Sequence, residues 1–275
     1  MRSRLAAGLA ALLVTPALVA CDGGGGGDGT GGDGGGGGPL SLGGPDTDPP
    51  EEGACRVLEP DAIAAKSDDT DTVDCSEEHN AETFFISEFQ DADNLEYDDP
   101  RLGAQVYDQC YPRYLKFAGA TPSLALRSVV DWAWWRPEED AWEEGARWYR
   151  CDVVGGNDQS SELVDLPKTA KGLLLGIPAS KWMLCADGAE VASAPKVPCS
   201  EQHTWRAVSA VVVGQPKDKW PGARVVEVNT RDFCSDWVGA WLNYPLDYEF
   251  GYTWFGKAEW EAGNRQSVCW AQTDE

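Results

Sequence analysis

The length, composition and charge of this chain limit what it can be. Its 275 residues are 42% hydrophobic and 10% aromatic, enough for packed cores in about two domains of roughly 100–150 residues. Acidic residues outnumber basic ones by 46 to 22, for a formal net charge of −24. Such a surface repels phosphate backbones and anionic lipid head groups. We therefore exclude nucleic acid as a partner, and any membrane association must depend on something other than charge.

Residues 1–20 have the pattern of a secretory signal peptide, with a basic start and an apolar core over residues 5–19. That core is too short to span a bilayer, which takes about 20 residues. It ends Leu-Val-Ala-Cys at residues 18–21, which resembles a bacterial lipobox. In a lipobox the cysteine is acylated, with palmitate among the expected chains, and becomes the mature N-terminus. We predict lipidation of Cys21; the alternative is an ordinary cleavage site followed by a chance cysteine.

Residues 21–53 are predicted to form a flexible tether behind that lipid. Glycine dominates this stretch, aspartate and proline interrupt it, and no hydrophobic periodicity appears. A chain of this length has a root-mean-square reach of about 30 Å. The expected location is therefore the extracytoplasmic face of the cell membrane, with the membrane as a partner only through the N-terminal lipid.

The remainder of the chain contains two stretches with one plan. Cys-Ser-Glu-Glu-His at 75–79 and Cys-Ser-Glu-Gln-His at 199–203 are each followed by a further cysteine, 35 positions after the first. Both stretches close with Trp-x-x-Gly-x-Arg-x-x-x-Cys, at 142–151 and 260–269. We interpret this as an internal duplication. It predicts a first domain over 54–155, a connector over 156–180 and a second domain over 181–275.

In the first copy, short strands are expected at 55–58 and 72–75, the second one continuing through 81–89. Asp99 is the predicted cap of a helix with Pro100 in its first turn, and Gly119 is the predicted end. The four-residue spacing of the apolar positions 102, 106, 110 and 114 places them on one helix face. Strands at 128–135 and 148–154 complete this copy.

The second copy repeats this order, with strands expected at 182–185 and at 196–199, the latter continued by 203–213. Thr230 is the predicted helix cap, and Pro245 ends the helix. Its apolar stripe consists of Phe233, Cys234, Trp237, Val238, Trp241 and Leu242. Strands at 251–256 and 265–272 follow. The predicted fold class is α+β: two similar disulfide-stapled domains, each a small antiparallel-type sheet with one packed helix.

Eight cysteines remain after Cys21, four in each copy, which is typical of a disulfide framework in an exported protein. Four cysteines allow three pairings per copy. The helix cysteines lie on the apolar stripe and must reach a sheet cysteine. This favours pairing with the last strand, although the other pairings stay open. The preferred bridges are Cys110–Cys151 and Cys234–Cys269, which leaves Cys55–Cys75 and Cys185–Cys199.

The two histidines of the chain, His79 and His203, each stand four residues after a cysteine. Cys-x-x-x-His invites a zinc interpretation, but each copy has one histidine and export favours disulfides, so we predict no metal and no cofactor. We expect each histidine to order its turn through backbone groups; pH sensing or ligand contact is the alternative. The other candidate binding or structural residues come from the closing motifs: Trp142, Arg147, Trp260 and Arg265.

No catalytic residue is predicted. Ser76 and Ser200 lie three positions before their histidines, a local arrangement unsuited to a nucleophile and its base. Neither Gly-x-Ser-x-Gly nor His-Glu-x-x-His occurs, while a glycosidase-type carboxylate pair can be recognised only in space. Thirteen tryptophans raise the alternative of an exposed platform for sugars or proteins, although we favour core positions for most of them. They cluster at Trp132, Trp134, Trp135, Trp142 and Trp148 and at Trp237, Trp241, Trp254, Trp260 and Trp270.

Together these motifs resemble the septum formation domain family of actinobacterial membrane-attached and exported proteins. In the first copy the resemblance is carried by Gly-Ala-Cys at 53–55, the stretch Val-Asp-Cys-Ser-Glu-Glu-His-Asn-Ala-Glu at 73–82 and the closing motif. In the second copy it is carried by Val-Pro-Cys-Ser-Glu-Gln-His at 197–203 and the closing motif. The second copy departs from it after the histidine, with Thr-Trp-Arg at 204–206. The family implies a part in division or envelope growth and no attached reaction or ligand.

We therefore expect a cell-envelope lipoprotein that is not an enzyme. Its leading function is that of a non-catalytic interaction module, in septum formation or envelope growth, with an envelope protein as partner. The alternative is a binder of cell-wall polysaccharide that uses exposed tryptophans, and an envelope hydrolase is the third. An exposed row of tryptophans would favour the alternative.

Overall fold

The computed structural model describes residues 47–157, 160–215, 217–261 and 263–273. The predicted signal peptide, Cys21 and the tether as far as residue 46 lie outside these residues. In the described part, each copy forms one five-stranded antiparallel sheet, and both sheets belong to one compact unit. The predicted α+β class with two similar sheets is confirmed.

The first sheet has the strand order β2-β1-β3-β5-β4. Its strands are β1 (Cys55–Arg56), β2 (Thr72–Val73), β3 (Ala81–Glu88), β4 (Asp131–Trp135) and β5 (Trp148–Val154). β2 and β3 are separate strands that pair with opposite sides of β1; the prediction that one continues the other was wrong. The turn between them is fixed to β1: the Asn80 carboxamide accepts from Leu58 N at 2.7 Å and donates to Leu58 O at 2.9 Å.

The long helix of the first copy is α1 (Pro100–Ala118), with the limits that the sequence predicts. The Asp99 side chain accepts a hydrogen bond from the backbone of Arg101, and Gly119 adopts the left-handed conformation at φ 74°. Leu102, Val106, Cys110, Tyr114 and Ala118 form the buried face. This face packs on β3, β4 and β5.

The second sheet has the matching order β7-β6-β8-β10-β9. Its strands are β6 (Leu184–Ala186), β7 (Lys196–Pro198), β8 (Trp205–Val212), β9 (Phe250–Thr253) and β10 (Gln266–Gln272). The long helix α4 (Ala223–Trp241) packs on β8, β9 and β10. The described part also contains three short α-helices: α2 (Pro122–Ala125), α3 (Glu139–Glu143) and α5 (Lys257–Glu261). Three short 3-10 helices lie at Pro60–Ala64, Ala92–Asn94 and Ser180–Trp182.

Helix α4 begins about two turns before the predicted cap at Thr230. Its first residue follows Gly222, which has φ 98° and offers no capping side chain. Thr230 is fully buried inside the helix, one turn after Val226 and one turn before Cys234. The cap prediction was wrong because the Thr230 hydroxyl is satisfied across the core, by Ser267, rather than by the first turn of the helix.

The two copies share a core. One cluster of buried residues includes Tyr114 and Val130 from the first copy and Trp205 and Trp270 from the second. Backbone contacts join them as well, since Leu184 N donates to Arg127 O at 2.8 Å. The connector adds three buried side chains to that cluster: Leu166, Ala170 and Leu174. The duplication therefore produces two sheets that bury part of their apolar surface against each other.

The four disulfides have the preferred pairing. Cys110–Cys151 and Cys234–Cys269 join each long helix to the last strand of its copy, while Cys55–Cys75 and Cys185–Cys199 join the first strand to the turn before the histidine. The helix-to-sheet prediction followed from the position of Cys110 and Cys234 on the buried stripes, and it is confirmed.

Candidate functional site

The closing motif has a structural role in the first copy. The Arg147 guanidinium lies 4.1 Å from the centroid of the Trp142 ring and donates to the carbonyl oxygens of Trp142 and Ala146 at 2.6 and 2.8 Å. Gly145 between them has φ 103°, a conformation that disfavours any side chain. The motif therefore closes the turn that leads from α3 to β5.

The second copy builds the same turn. The Arg265 guanidinium lies 3.5 Å from the Trp260 ring centroid and donates to the carbonyl oxygens of Trp260 and, at 3.0 Å, Asn264. Gly263 has the same φ of 103°. Trp142 and Trp260 are both buried. The spacing Trp-x-x-Gly-x-Arg thus encodes a cation–π contact around a glycine turn.

Both histidines contact backbone carbonyls in their own turns. Nδ1 of His79 lies 2.8 Å from the Glu77 oxygen, and Nδ1 of His203 lies 2.7 Å from the Glu201 oxygen. A carbonyl can only accept, so Nδ1 carries the proton of this hydrogen bond in each ring. Both rings are buried, and these contacts hold the turn that follows each short-range disulfide.

One cluster has ligand atoms at metal-binding spacing, formed by Cys185, Cys199 and His203 within 4.8 Å of one another. Its two sulfur atoms are joined as a disulfide. Zinc binds cysteine as a thiolate, and a disulfide offers none. The cluster therefore fits a disulfide beside a turn-ordering histidine better than it fits a zinc site.

The first copy also contains a buried ion network that the sequence analysis missed. Asp152 is fully buried, with its Oδ2 atom 3.3 Å from Arg150 Nε and 3.8 Å from Arg56 Nη1, and Arg150 also pairs with Asp68. Burial raises the pKa of Asp152, while the Arg150 and Arg56 charges oppose that change. At the corresponding positions the second copy has neutral side chains: Ala186, Val268 and Trp270. The network therefore belongs to one copy only.

A groove lies between the two copies. We define this inter-repeat groove by Tyr107, Tyr111, Trp132, Trp254, Asn264 and Gln266, which line one cavity of about 350 Å³. A second cavity of about 850 Å³ extends along the first copy. It shares four lining residues with the groove: Tyr107, Asp131, Trp132 and Asn157. Both volumes lie in the range of small-molecule sites, about 300–1,000 Å³.

Aromatic rings form one wall of the inter-repeat groove. Tyr107 and Tyr111 lie one turn apart on α1 and stack with centroids 5.1 Å apart at 13°. The Trp132 centroid lies 6.1 Å from Tyr107 and 6.4 Å from Tyr111. Trp254, which is 42% exposed, contributes an aromatic ring from the second copy. The groove thus presents ring faces and edges from both copies.

Neutral polar groups stand beside those rings. Gln266 Nε2 donates to the Tyr111 hydroxyl oxygen at 3.3 Å, and Asn264 Oδ1 accepts from Gln266 N at 2.8 Å. Burial raises the pKa of both Tyr107 and Tyr111, so each phenol keeps its proton at neutral pH. The groove therefore combines hydroxyl and carboxamide groups with aromatic surface.

A second aromatic surface lies on α4. We call Phe233, Trp237 and Trp241, at four-residue spacing, the tryptophan stripe. Trp237 is 52% exposed and Trp241 48% exposed, and the Phe233 and Trp237 rings have centroids 5.7 Å apart. In the first copy the corresponding positions hold Gln109, Arg113 and Phe117, with the Arg113 guanidinium 4.2 Å from the Phe85 ring centroid.

The predicted histidines, tryptophans and arginines thus lie in structural turns, and the two candidate binding surfaces use other side chains. Most tryptophans are buried or half-buried; the exposed ones are Trp237, Trp241 and Trp254. The sequence did contain one signal for the groove, the tyrosine pair at i and i+4 on the α1 surface. It gave none for Asn264 or Gln266, because the Gln266 side chain meets its partner, Tyr111, in the other copy.

Fold and sites together define a class: a duplicated α+β protein with four disulfides, a groove between its copies and an exposed tryptophan stripe. Residues 52–269 match the protein family described as septum formation. The chain therefore belongs to the septum formation family, and this membership points to a role in that process. No curated protein and no solved structure matches the chain. Among the described residues, none of the helices has both the length and the apolar character needed to cross a bilayer.

Proposed function

We propose that this chain works in septum formation as a non-catalytic interaction module of the cell envelope. Lipid on Cys21 holds it at the extracytoplasmic face of the membrane, and residues 21–53 give the paired sheets room to reach a partner. The partner is an envelope protein that covers the tryptophan stripe. Family membership supports the process, and the exposed stripe supports the mode of binding.

The observation that carries this proposal is the difference between the two long helices. Trp237 and Trp241 expose about half of their surfaces, although the fold does not require them there, since Arg113 occupies the place of Trp237 in the first copy. Tryptophan is enriched among the residues that dominate protein–protein binding energy, because it buries a large area against a partner. A pair of such residues one turn apart offers two adjacent anchors.

We expected an exposed row of tryptophans to favour a polysaccharide binder, and Trp237 and Trp241 form such a row. The position of the stripe on an outer helix face, rather than in a cavity, is the reason to favour a protein over a glycan. The stripe lies on the outer surface of α4, whereas small-molecule sites are concave and enclose most of the ligand. Protein interfaces of ordinary size bury about 800 Å² on each partner and use such flat or convex surfaces. The partner contacts the indoles directly and needs no reaction step.

A photoreactive amino acid in place of Trp237, in the full chain produced with its signal peptide, tests this proposal in cells. We expect a discrete crosslinked protein that is a component of the division site. The matched control places the same amino acid at Arg113 in the first copy, where no such adduct should form. No adduct at position 237, or the same adducts at both positions, would overturn the proposal.

A complementation experiment gives a second measure. In cells that lack the chain, Trp237→Ala should fail to restore normal septum spacing, whereas Arg113→Ala should restore it. Both variants change exposed side chains of matched helices, so both should fold and accumulate equally. Restoration by a fully folded Trp237→Ala/Trp241→Ala variant would argue against the stripe as the partner site.

A further inference from the structure

We propose that the inter-repeat groove is a second binding site, and that it takes a neutral oligosaccharide carrying acetamido groups. This site is separate from the tryptophan stripe, and the inference goes beyond the interaction with a protein partner. It would give the chain one surface for a protein and one for a glycan.

The aromatic wall of the groove indicates a ligand that is built of sugar rings. A pyranose ring has a face of C–H bonds that carry partial positive charge, and this face packs on the negative face of an aromatic ring. Trp254 projects an exposed indole at one end of the groove, while Tyr107, Tyr111 and Trp132 form a joined aromatic surface within it. A flat, weakly polar ligand with repeated rings fits such a wall.

The polar groups of the groove indicate which substituents those sugar rings carry. Because the Tyr111 hydroxyl oxygen accepts from Gln266, its own proton is available as a donor in another direction. Asn264 accepts from Gln266 N through Oδ1, which leaves its NH₂ end as a donor. Gln266 Oε1 is an acceptor. Hydroxyl and acetamido groups of a sugar supply the matching donors and acceptors.

The net negative charge of the protein argues against an anionic ligand. With a net charge of −24, the chain repels anionic polymers at long range. Lys196 also lines the groove, but its ammonium donates to the carbonyl oxygens of Val191 and Ala194 at 2.9 and 2.8 Å, and burial lowers its pKa. That cation is committed to the protein, so it makes a poor anchor for an anionic sugar. Lys66 and Arg136 line the larger cavity, but they contact Asp98 and the Tyr97 carbonyl oxygen. The carboxylates of Asp131 and Glu259 line the smaller cavity and add negative charge there.

The extent of the groove favours a chain of sugars over a single one. The cavities of about 350 and 850 Å³ share the lining residues Tyr107, Asp131, Trp132 and Asn157, so the larger cavity adjoins the groove at these residues. A single ring would contact only one part of it. Affinity should therefore rise with the number of linked sugars.

Isothermal titration calorimetry on the full chain, purified in detergent, tests this inference. The probe is the β-1,4-linked tetramer of N-acetylglucosamine, with the monosaccharide for comparison. We expect measurable binding of the tetramer and at least tenfold weaker binding of the monosaccharide. Trp254→Ala should weaken tetramer binding at least tenfold, and Gln266→Ala in the same background should weaken it further.

The matched control is Trp237→Ala on the tryptophan stripe, which should leave the affinity for the tetramer unchanged. Failure of the unmodified chain to bind the tetramer at millimolar concentration would overturn the inference. So would tetramer binding that Trp254→Ala leaves unchanged. Because no protein partner is present, these outcomes do not depend on whether the stripe binds a protein. Conversely, Trp254→Ala should keep the crosslink formed at position 237.

Discussion

The Thr230 hydroxyl on α4 donates a hydrogen bond of 2.9 Å to the Ser267 hydroxyl on β10, and both residues are buried. The first copy has Val106 and Tyr149 at these places, within an apolar cluster. The bond lies one turn from Cys234 and two residues from Cys269, which are themselves bridged. The second copy thus joins helix to sheet by a hydroxyl pair and a disulfide, where the first uses apolar packing and a disulfide.

Removing one hydroxyl of this pair should lower the free energy of unfolding by more than half as much as removing both hydroxyls does. Thr230→Val leaves the Ser267 hydroxyl buried without its partner, at a cost of about 1–3 kcal/mol in the free energy of unfolding. Ser267→Ala should cost a similar amount. The double variant should lose less than the sum, because no unsatisfied group remains. Urea unfolding of all four chains, with disulfides intact, measures this cycle, and strictly additive losses would contradict it.

The buried carboxylate Asp152 leads to a prediction about pH. Burial raises its pKa above the ordinary value of 3.8 in the folded state, so the folded state holds this proton more tightly than the unfolded state does. The contribution of Asp152 to stability is therefore greatest below about pH 4 and falls as pH rises to the folded pKa. The fall is about 1.4 kcal/mol for each pH unit between the unfolded and folded pKa values. Asp152→Asn removes this dependence.

The measurement is the difference in unfolding free energy between Asp152→Asn and the unmodified chain, taken from pH 2 to 8 by urea denaturation. We expect this difference to move in favour of the variant as pH rises. If it moved the other way, Arg150 and Arg56 would be holding the pKa below its usual range. Asp99→Asn is the control, because the contribution of Asp99 to stability changes with pH in the opposite direction. Hydrogen bonds from Arg101 lower the pKa of Asp99 to about 2, so its contribution is present above pH 3.8 and lost below about pH 2.

The contrast between the two long helices shows which parts of this fold local sequence can specify. Helix α1 was predicted from end to end because its limits are local: a capping Asp99, Pro100 in the first turn and Gly119 at a left-handed position. Helix α4 begins after Gly222, which provides no capping side chain, so its first turns carry no such signal. A polar residue inside it, Thr230, was mistaken for the cap.

The disulfides were predictable for a related reason. Cys110 and Cys234 occupy the apolar stripe of each helix, so helical periodicity alone directs them to the sheet. The inter-repeat groove depends on how two folded copies pack together. The contact between Tyr111 and Gln266 joins residues 155 positions apart. No local pattern specifies such a contact, and the groove therefore required the structure.

The closing motif gives a prediction that distinguishes a structural role of its two arginines from a role in binding a partner. Arg147→Lys and Arg265→Lys keep the positive charge but replace a planar group that stacks on tryptophan and donates to two carbonyl oxygens. Each change should lower stability by about 0.5–2 kcal/mol, by similar amounts in the two copies. Thermal unfolding measures this loss.

If these arginines served a partner, the same variants would behave differently. A lysine variant with an unchanged melting temperature and lost crosslinking at position 237 would assign the arginine to a binding surface. We expect the reverse: lower melting temperatures, with crosslinking and oligosaccharide affinity retained below the transition. Lys257→Ala, an exposed change on the neighbouring α5, provides a control for stability.

The proposed lipid anchor predicts a specific covalent product at Cys21. The N-terminal peptide of the mature chain should begin at this residue and carry acyl chains, which mass spectrometry of the detergent-extracted protein detects. Two chains on one residue suffice for stable anchoring, whereas a single chain binds a membrane only marginally. Cys21→Ala should abolish the acylated peptide and prevent rescue of septum spacing, while Thr30→Ala within the tether should change neither. An unmodified Cys21 in functional, membrane-associated protein would contradict the anchor, and a different element would then have to hold the tryptophan stripe near its partner.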